Sequence, residues 1–225
     1  MLWQAIGNIL PTAIGVALSP VPIIAVILML STRRARSNGP AFALGWLVGL
    51  VVVSAIVLFV ASGSDKANST ASDATNWVKV AIGVLFLLMA ARQWRSRPRA
   101  GESVTMPKWM QTIDAFTPAK SAGLGVILSA ANPKNLALTI AAAASIAQVG
   151  LSGGASAVAV AVFVIIGSVT VVGPVVFYLV APRAATKPLD GIKQFMSDHN
   201  AVIMFVLLLV LGAKLIGDGI SGLAA

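Results

Sequence analysis

Apolar residues along this chain come in long blocks, without the two-residue or 3.6-residue alternation of elements that face water on one side. Six blocks lie near residues 5 to 31, 40 to 62, 76 to 94, 119 to 147, 155 to 181 and 200 to 222. Each has about the 20 residues needed to cross a hydrocarbon core of about 30 Å, or more. The pattern predicts an all-α integral membrane protein with six transmembrane helices and no soluble domain. The opening "MLWQAIGNIL" lacks the positive n-region and cleavage site of a signal peptide, so the first block is expected to stay as a membrane anchor.

Two polar stretches between blocks read differently. Residues 62 to 76, "SGSDKANSTASDATN", show no apolar periodicity and predict a flexible external loop. In "TMPKWMQTIDAF", Met106, Trp109, Met110 and Ile113 recur at helical spacing after Pro107, which suits a first helical turn. A short interfacial helix on the cytoplasmic leaflet is expected there.

Charge orients the chain. Arg33, Arg34 and Arg36 occupy the first connection; Arg92, Arg95, Arg97, Arg99, Lys108 and Lys120 the third; Arg183, Lys187 and Lys193 the fifth. These are twelve of the 16 basic residues. The other two connections are assigned only Lys66 and Lys79, and Lys134 and Lys214 fall within blocks. Positive charge is retained in the cytoplasm, so odd-numbered connections face inward and both termini face outside. The net charge of +9 therefore reports orientation, and no nucleic-acid partner is implied, because the basic residues flank membrane spans and cover no soluble face.

The halves of the chain echo each other. Segment one reads "GVALSPVPIIAVI" from Gly15, and segment four reads "GVILSAANPKNLALTI" from Gly125. With three segments per half, the second is inserted upside down, which is the inverted-repeat plan of many secondary transporters. The expected organisation is one transmembrane domain, 1–225, with repeat one at 1–95, a cytoplasmic linker carrying the interfacial helix at 96–118, and repeat two at 119–225. Pro20 lies 13 residues before Arg33 and Pro133 lies 13 residues after Lys120. At 1.5 Å per residue both breaks sit about 20 Å from cytoplasmic charge, near mid-membrane. Proline removes a backbone donor and clashes with the preceding turn, so irregular backbone is expected near residues 19–22 and 131–135. In a membrane such backbone is tolerated where it is buried in protein or lines a wet cavity, so the broken helices one and four are expected to meet around a central site.

The candidate substrate-binding residues are accordingly Ser19, Pro20, Pro22, Ser129, Asn132, Pro133, Lys134 and Asn135, with Thr170 of segment five beside the path. A lysine at mid-membrane costs at least about 2.5 kcal/mol on insertion scales and calls for a partner. The one acid inside a predicted span, Asp218, has a nearer candidate partner in Lys214, four residues before it on the same helix face. Lys134 is then left to meet an anionic group such as phosphate, sulfate or carboxylate, assisted by half-helix N-termini.

The remaining composition narrows the chemistry. There is no cysteine, and the single histidine, His199, has only Asp198 beside it, so neither thiol chemistry nor a metal centre is expected. No nucleotide loop or nucleophile elbow is present, so the reading is a non-enzymatic protein with no cofactor. Gly45 and Gly49 form a small-xxx-small pair suited to seating a neighbouring helix or a second protomer, so a homodimer is one expected assembly.

"SPVPIIAVILMLST", then "NGPAFALGWLVGL" with Gly45, Trp46 and Gly49, then "NPKN" in segment four, resemble the GAP (peptidoglycolipid-addressing protein) family, also called sulfolipid-addressing proteins, of the lysine-exporter (LysE) superfamily. The resemblance covers essentially the full chain. It implies a six-helix inner-membrane protein of mycolic-acid-bearing actinobacteria that assists export of cell-envelope glycolipids. The expected function is thus a transporter or exporter of an anionic glycolipid or related amphiphile, with membrane lipids and envelope-lipid export machinery as partners. Two alternatives stay open at this point: an exporter of an amino acid or other small metabolite on the same fold, and a non-transporting scaffold for the export machinery. The amino-acid exporters of the superfamily usually carry Pro-Gly-Pro in the first segment, where this chain has Pro20, Val21 and Pro22.

Overall fold

The computed structural model describes residues 1–63, 69–97 and 108–224. All regular structure among them is helical: α1 Leu2–Ala17, α2 Pro20–Leu30, α3 Ala35–Gly63, α4 Ser69–Arg95, a 3-10 helix Lys108–Ala115, α5 Pro118–Val126, a π turn Ile127–Ala131, α6 Pro133–Gln148, α7 Gly153–Val180, α8 Pro182–Asp198 and α9 Asn200–Leu223.

Helices α3, α4, α7 and α9 are each long and apolar enough to cross a membrane, and α1 with α2 makes a fifth such unit, bent by 51°. The expected fourth segment is present as α5, the π turn and α6, of 9, 5 and 16 residues. Each piece is shorter than a membrane is thick, because the chain is broken at Asn132. Length and composition therefore give four or five spans, where the sequence pattern predicts six.

Several residues assigned to connections also lie in helices. Residues 69 to 76 continue α4, so only 64–68 of the predicted external loop lie outside the described residues. No Gly or Pro interrupts "STASDATN", and nothing there stops a helix. Lys79, assigned above to a connection, is therefore inside α4 and buried. The fifth connection, which carries Arg183, Lys187 and Lys193, is the 17-residue helix α8. It buries Ala185 and Leu189 and packs on α2 and α7. The expected interfacial helix is a 3-10 helix whose Met110 and Ile113 enter the core; it packs on α2, while Met106 and the Trp109 side chain lie outside the described residues.

The core forms where α3 packs on α5, α6 and α7 and α1 packs on α6 and α7, while α4 pairs with α9. Trp46 is fully buried and donates its indole N–H to Ser168 Oγ on α7 at 3.2 Å. The α3–α5 approach depends on Gly45, where a Cβ would overlap the Ala122 carbonyl oxygen. One helix backbone thus lies directly on another, as small residues permit.

Gly45→Ala should therefore lower stability in detergent by about 1–3 kcal/mol, since backbone must shift to admit the methyl group. Gly173→Ala on α7, where a Cβ meets nothing within 4 Å, should leave the thermal midpoint unchanged or raised. Equal losses for the two variants would refute a backbone-on-backbone contact at Gly45.

Candidate functional site: the meeting of two helix breaks

A helix ending inside a bundle leaves its last carbonyls without intrahelical partners. At the end of α1, Leu18 N–H donates to Ile14 O at 2.9 Å and Ser19 N–H to Val16 O at 3.2 Å. The remaining two carbonyls are met by side chains from the other half of the chain. Lys134 Nζ donates to Gly15 O at 2.7 Å, and Thr170 Oγ1 donates to Ala17 O. Helix α2 then restarts with Ser19 as cap residue and Pro20 in its first turn.

The second break is built from the same parts in a different way. Asn132 N–H reaches back to Ile127 O at 3.0 Å, an i to i−5 bond that closes the π turn. Asn132 Oδ1 accepts the Lys134 backbone N–H at 3.1 Å, capping α6, which Pro133 opens. Asn135 joins the two breaks. Its Nδ2 donates to Leu128 O at 2.9 Å, and its Oδ1 accepts from Ser19 Oγ at 2.7 Å. Ser19, Lys134 and Asn135 are 3%, 2% and 0% exposed.

Irregular backbone is narrower than the proline positions suggest. It is confined to Leu18–Ser19 and Asn132, because a proline in the first turn starts a helix instead of interrupting it. Pro20 and Pro22 are buried in the first turn of α2, whereas Pro133 is exposed. Of the residues singled out in the sequence, Ser19, Lys134, Asn135 and Thr170 meet at the breaks, with Asn132 as a cap. Ser129 serves its own helix, donating to Gly125 O at 2.9 Å and Val126 O at 3.1 Å.

Electrostatically the site combines one full positive charge, on Lys134, with helix ends of both signs. The N-terminal ends of α2 and α6 both carry partial positive charge toward it. Among the described residues no carboxylate lies within ion-pair distance of Lys134, and Asp218 is bonded to Lys214. The Lys134 partner is a neutral carbonyl at the partially negative end of α1, so its hydrogen bonding is satisfied while its charge is only partly offset.

Over residues 9–221, nearly the whole chain, the sequence matches the family model described as Sap, sulfolipid-1-addressing protein. The chain belongs to this sulfolipid-addressing family. No curated protein matches it, and no solved structure does. The residues that carried the resemblance sit at the structural joints: "SPVP" at the first break, Gly45 and Trp46 at the α3 contacts, and "NPKN" at the second break.

Sequence reasoning missed the backbone half of this site. Gly15 and Ala17 act through carbonyls, which no side-chain pattern announces. It also missed a second polar cluster, in which Lys79 Nζ donates to Gln148 Oε1 and Gln148 Nε2 donates to Asn76 Oδ1 at 3.0 Å. The available signal was Lys79 itself, three residues inside the block beginning at 76.

A double-mutant cycle with Ser19→Ala and Asn135→Ala should give a coupling energy of about 0.6 kcal/mol, the usual size for interhelical hydrogen bonds in membranes. Asn135→Ala alone should cost more, about 1–3 kcal/mol, because it also leaves Leu128 O bare. Reversible unfolding in detergent is the measurement, and zero coupling would mean that packing alone holds the breaks together.

Proposed function

We propose that this chain is a non-enzymatic cytoplasmic-membrane transporter that moves an anionic amphiphile outward through the point where the two helix breaks meet. The observation that carries the reading is the placement of buried Lys134 beside the Ser19–Asn135 bond, with no acid paired to it among the described residues. The family description supplies the substrate class: a sulfolipid carries an anionic sulfur oxyacid head on an apolar body. An ammonium with two helix N-termini suits such a head, and the apolar body suits the lipid-facing flanks.

In this reading α5, the π turn and α6 together form one span, giving six, and the halves are inverted repeats. The pairing of α4 with α9, the last helices of each half, supports this. A Cβ on Gly83 would lie 2.7 Å from Gly212 O, and one on Gly212 would lie 2.9 Å from Gly83 O. Such reciprocal contact is what elements related by a two-fold axis make. The arginine-bearing connections support a topology with both termini outside. Substrate displaces the Gly15 carbonyl from Lys134, so head-group binding and release of the α1 end are one event.

Lys134→Gln keeps a donor for Gly15 O while removing charge. It should preserve stability within about 1 kcal/mol yet abolish binding and export of an anionic lipid, measured in proteoliposomes. Wild-type export by Lys134→Gln would reject the head-group role and favour a scaffold.

Orientation has its own test, helped by the absence of native cysteine. Ser152→Cys, in the α6–α7 turn, should react with an impermeant maleimide from outside in intact cells, and Ser37→Cys only after the membrane is opened. The reverse pattern would invert the topology.

A further inference from the structure

At the end of α6 remote from Pro133, three elements bring a second set of polar groups together. Lys79 of α4 is 8% exposed and Asn76, one turn before it, is 2% exposed. Gly222 and Gly219 of α9 press on Asn76, the first on its side-chain amide and the second on its backbone carbonyl. Gln148, at the last turn of α6, is exposed and bridges the two α4 residues. Lys214 and Asp218 of α9 lie within electrostatic reach of Lys79, and their side chains are 36% and 42% exposed.

A buried ammonium ordinarily faces a carboxylate. Lys79 faces an amide oxygen. Asp218, an acid in electrostatic reach of Lys79, is bonded to Lys214, which leaves two ammonium groups to one carboxylate in the cluster. The C-terminal end of α6 offsets at most about half a charge, and its Ile146 and Ala147 carbonyls already accept the Val149 and Gly150 amides. The cluster thus holds an uncompensated positive charge at a place reachable through exposed Gln148.

We propose that Lys79, Asn76 and Gln148 form a second anion site, taking one oxyanion group: a phosphate, sulfate or carboxylate. Rotation of the Gln148 amide by half a turn replaces its acceptor toward Lys79 with a donor and frees Asn76. The anion then receives one charged and two neutral hydrogen bonds. Service as an exit station for the transported head group rests on the transport reading above; anion binding itself does not.

The test uses the full chain purified in neutral detergent, with thermal unfolding followed against sodium sulfate at ionic strength matched with sodium chloride. A second arm uses phosphatidylcholine nanodiscs with and without phosphatidylglycerol. Saturable stabilisation of the wild type by sulfate identifies a free anion as sufficient, and stabilisation by phosphatidylglycerol alone identifies a lipid head group. Either supports the site if Lys79→Met and Gln148→Glu both weaken the effect by about tenfold or more. Gln148→Glu keeps Lys79 partnered by supplying the missing carboxylate internally, so it reports even where Lys79→Met folds poorly. The part of the stabilisation that Lys79→Met or Gln148→Glu removes should persist at wild-type affinity in Lys134→Gln, which separates this site from the central one. No stabilisation of the wild type by either probe, wild-type affinity in Gln148→Glu or in a folded Lys79→Met, or loss of that part in Lys134→Gln would overturn the proposal.

Discussion

The carbonyl end of α1 is the constraint around which the rest is arranged. A helix that stops within an apolar bundle leaves acceptors that lipid cannot satisfy. Two of them, Gly15 O and Ala17 O, are met from α6 and α7 by Lys134 and Thr170. Those bonds fix α6 and α7 against α1, and the Trp46–Ser168 bond ties α3 to another side of α7 two residues away. A continuous helix would meet these carbonyls itself, and the bonds from α6 and α7 would be lost.

The two breaks are related in motif but not in solution. From Gly15 to Pro20 the chain runs five residues, and from Gly125 to Pro133 eight. The additional residues widen the helix into a π turn, as insertions into helices commonly do at functional sites. The two positions after the leading proline also differ: Val21 and Pro22 in one half, Lys134 and Asn135 in the other. Most of the side-chain chemistry that crosses between the breaks is therefore concentrated on α6. The half-helix α2 offers only its dipole and the Ser19 hydroxyl.

Legibility in the sequence followed the physical scale of each signal. Burial in lipid is a block-length effect, so the ends of most blocks fall within a few residues of the helices, and proline with polar residues inside a block marked both breaks. The α8 helix escaped because Arg183, Lys187 and Lys193 mask a period carried by only Ala185, Leu189 and partly exposed neighbours. Residues 69 to 76 escaped because polar composition was equated with a loop, although no breaker is present. The partner of Lys134 was not legible at all: counting acids excludes an ion pair, but any residue can supply a carbonyl. Lys79 was hidden by lying near a block boundary, where a charge is read as belonging to the loop.

Helix α6 has 16 residues, hence a length of about 24 Å. It is held at its foot by Asn132 and Asn135, and at its far end Gln148 touches Lys79 and Asn76. A tilt of about ten degrees at the break would sweep the tip through roughly 4 Å, more than the working range of a hydrogen bond. A tilt that loosened the foot would therefore also break or remake the contacts at the tip.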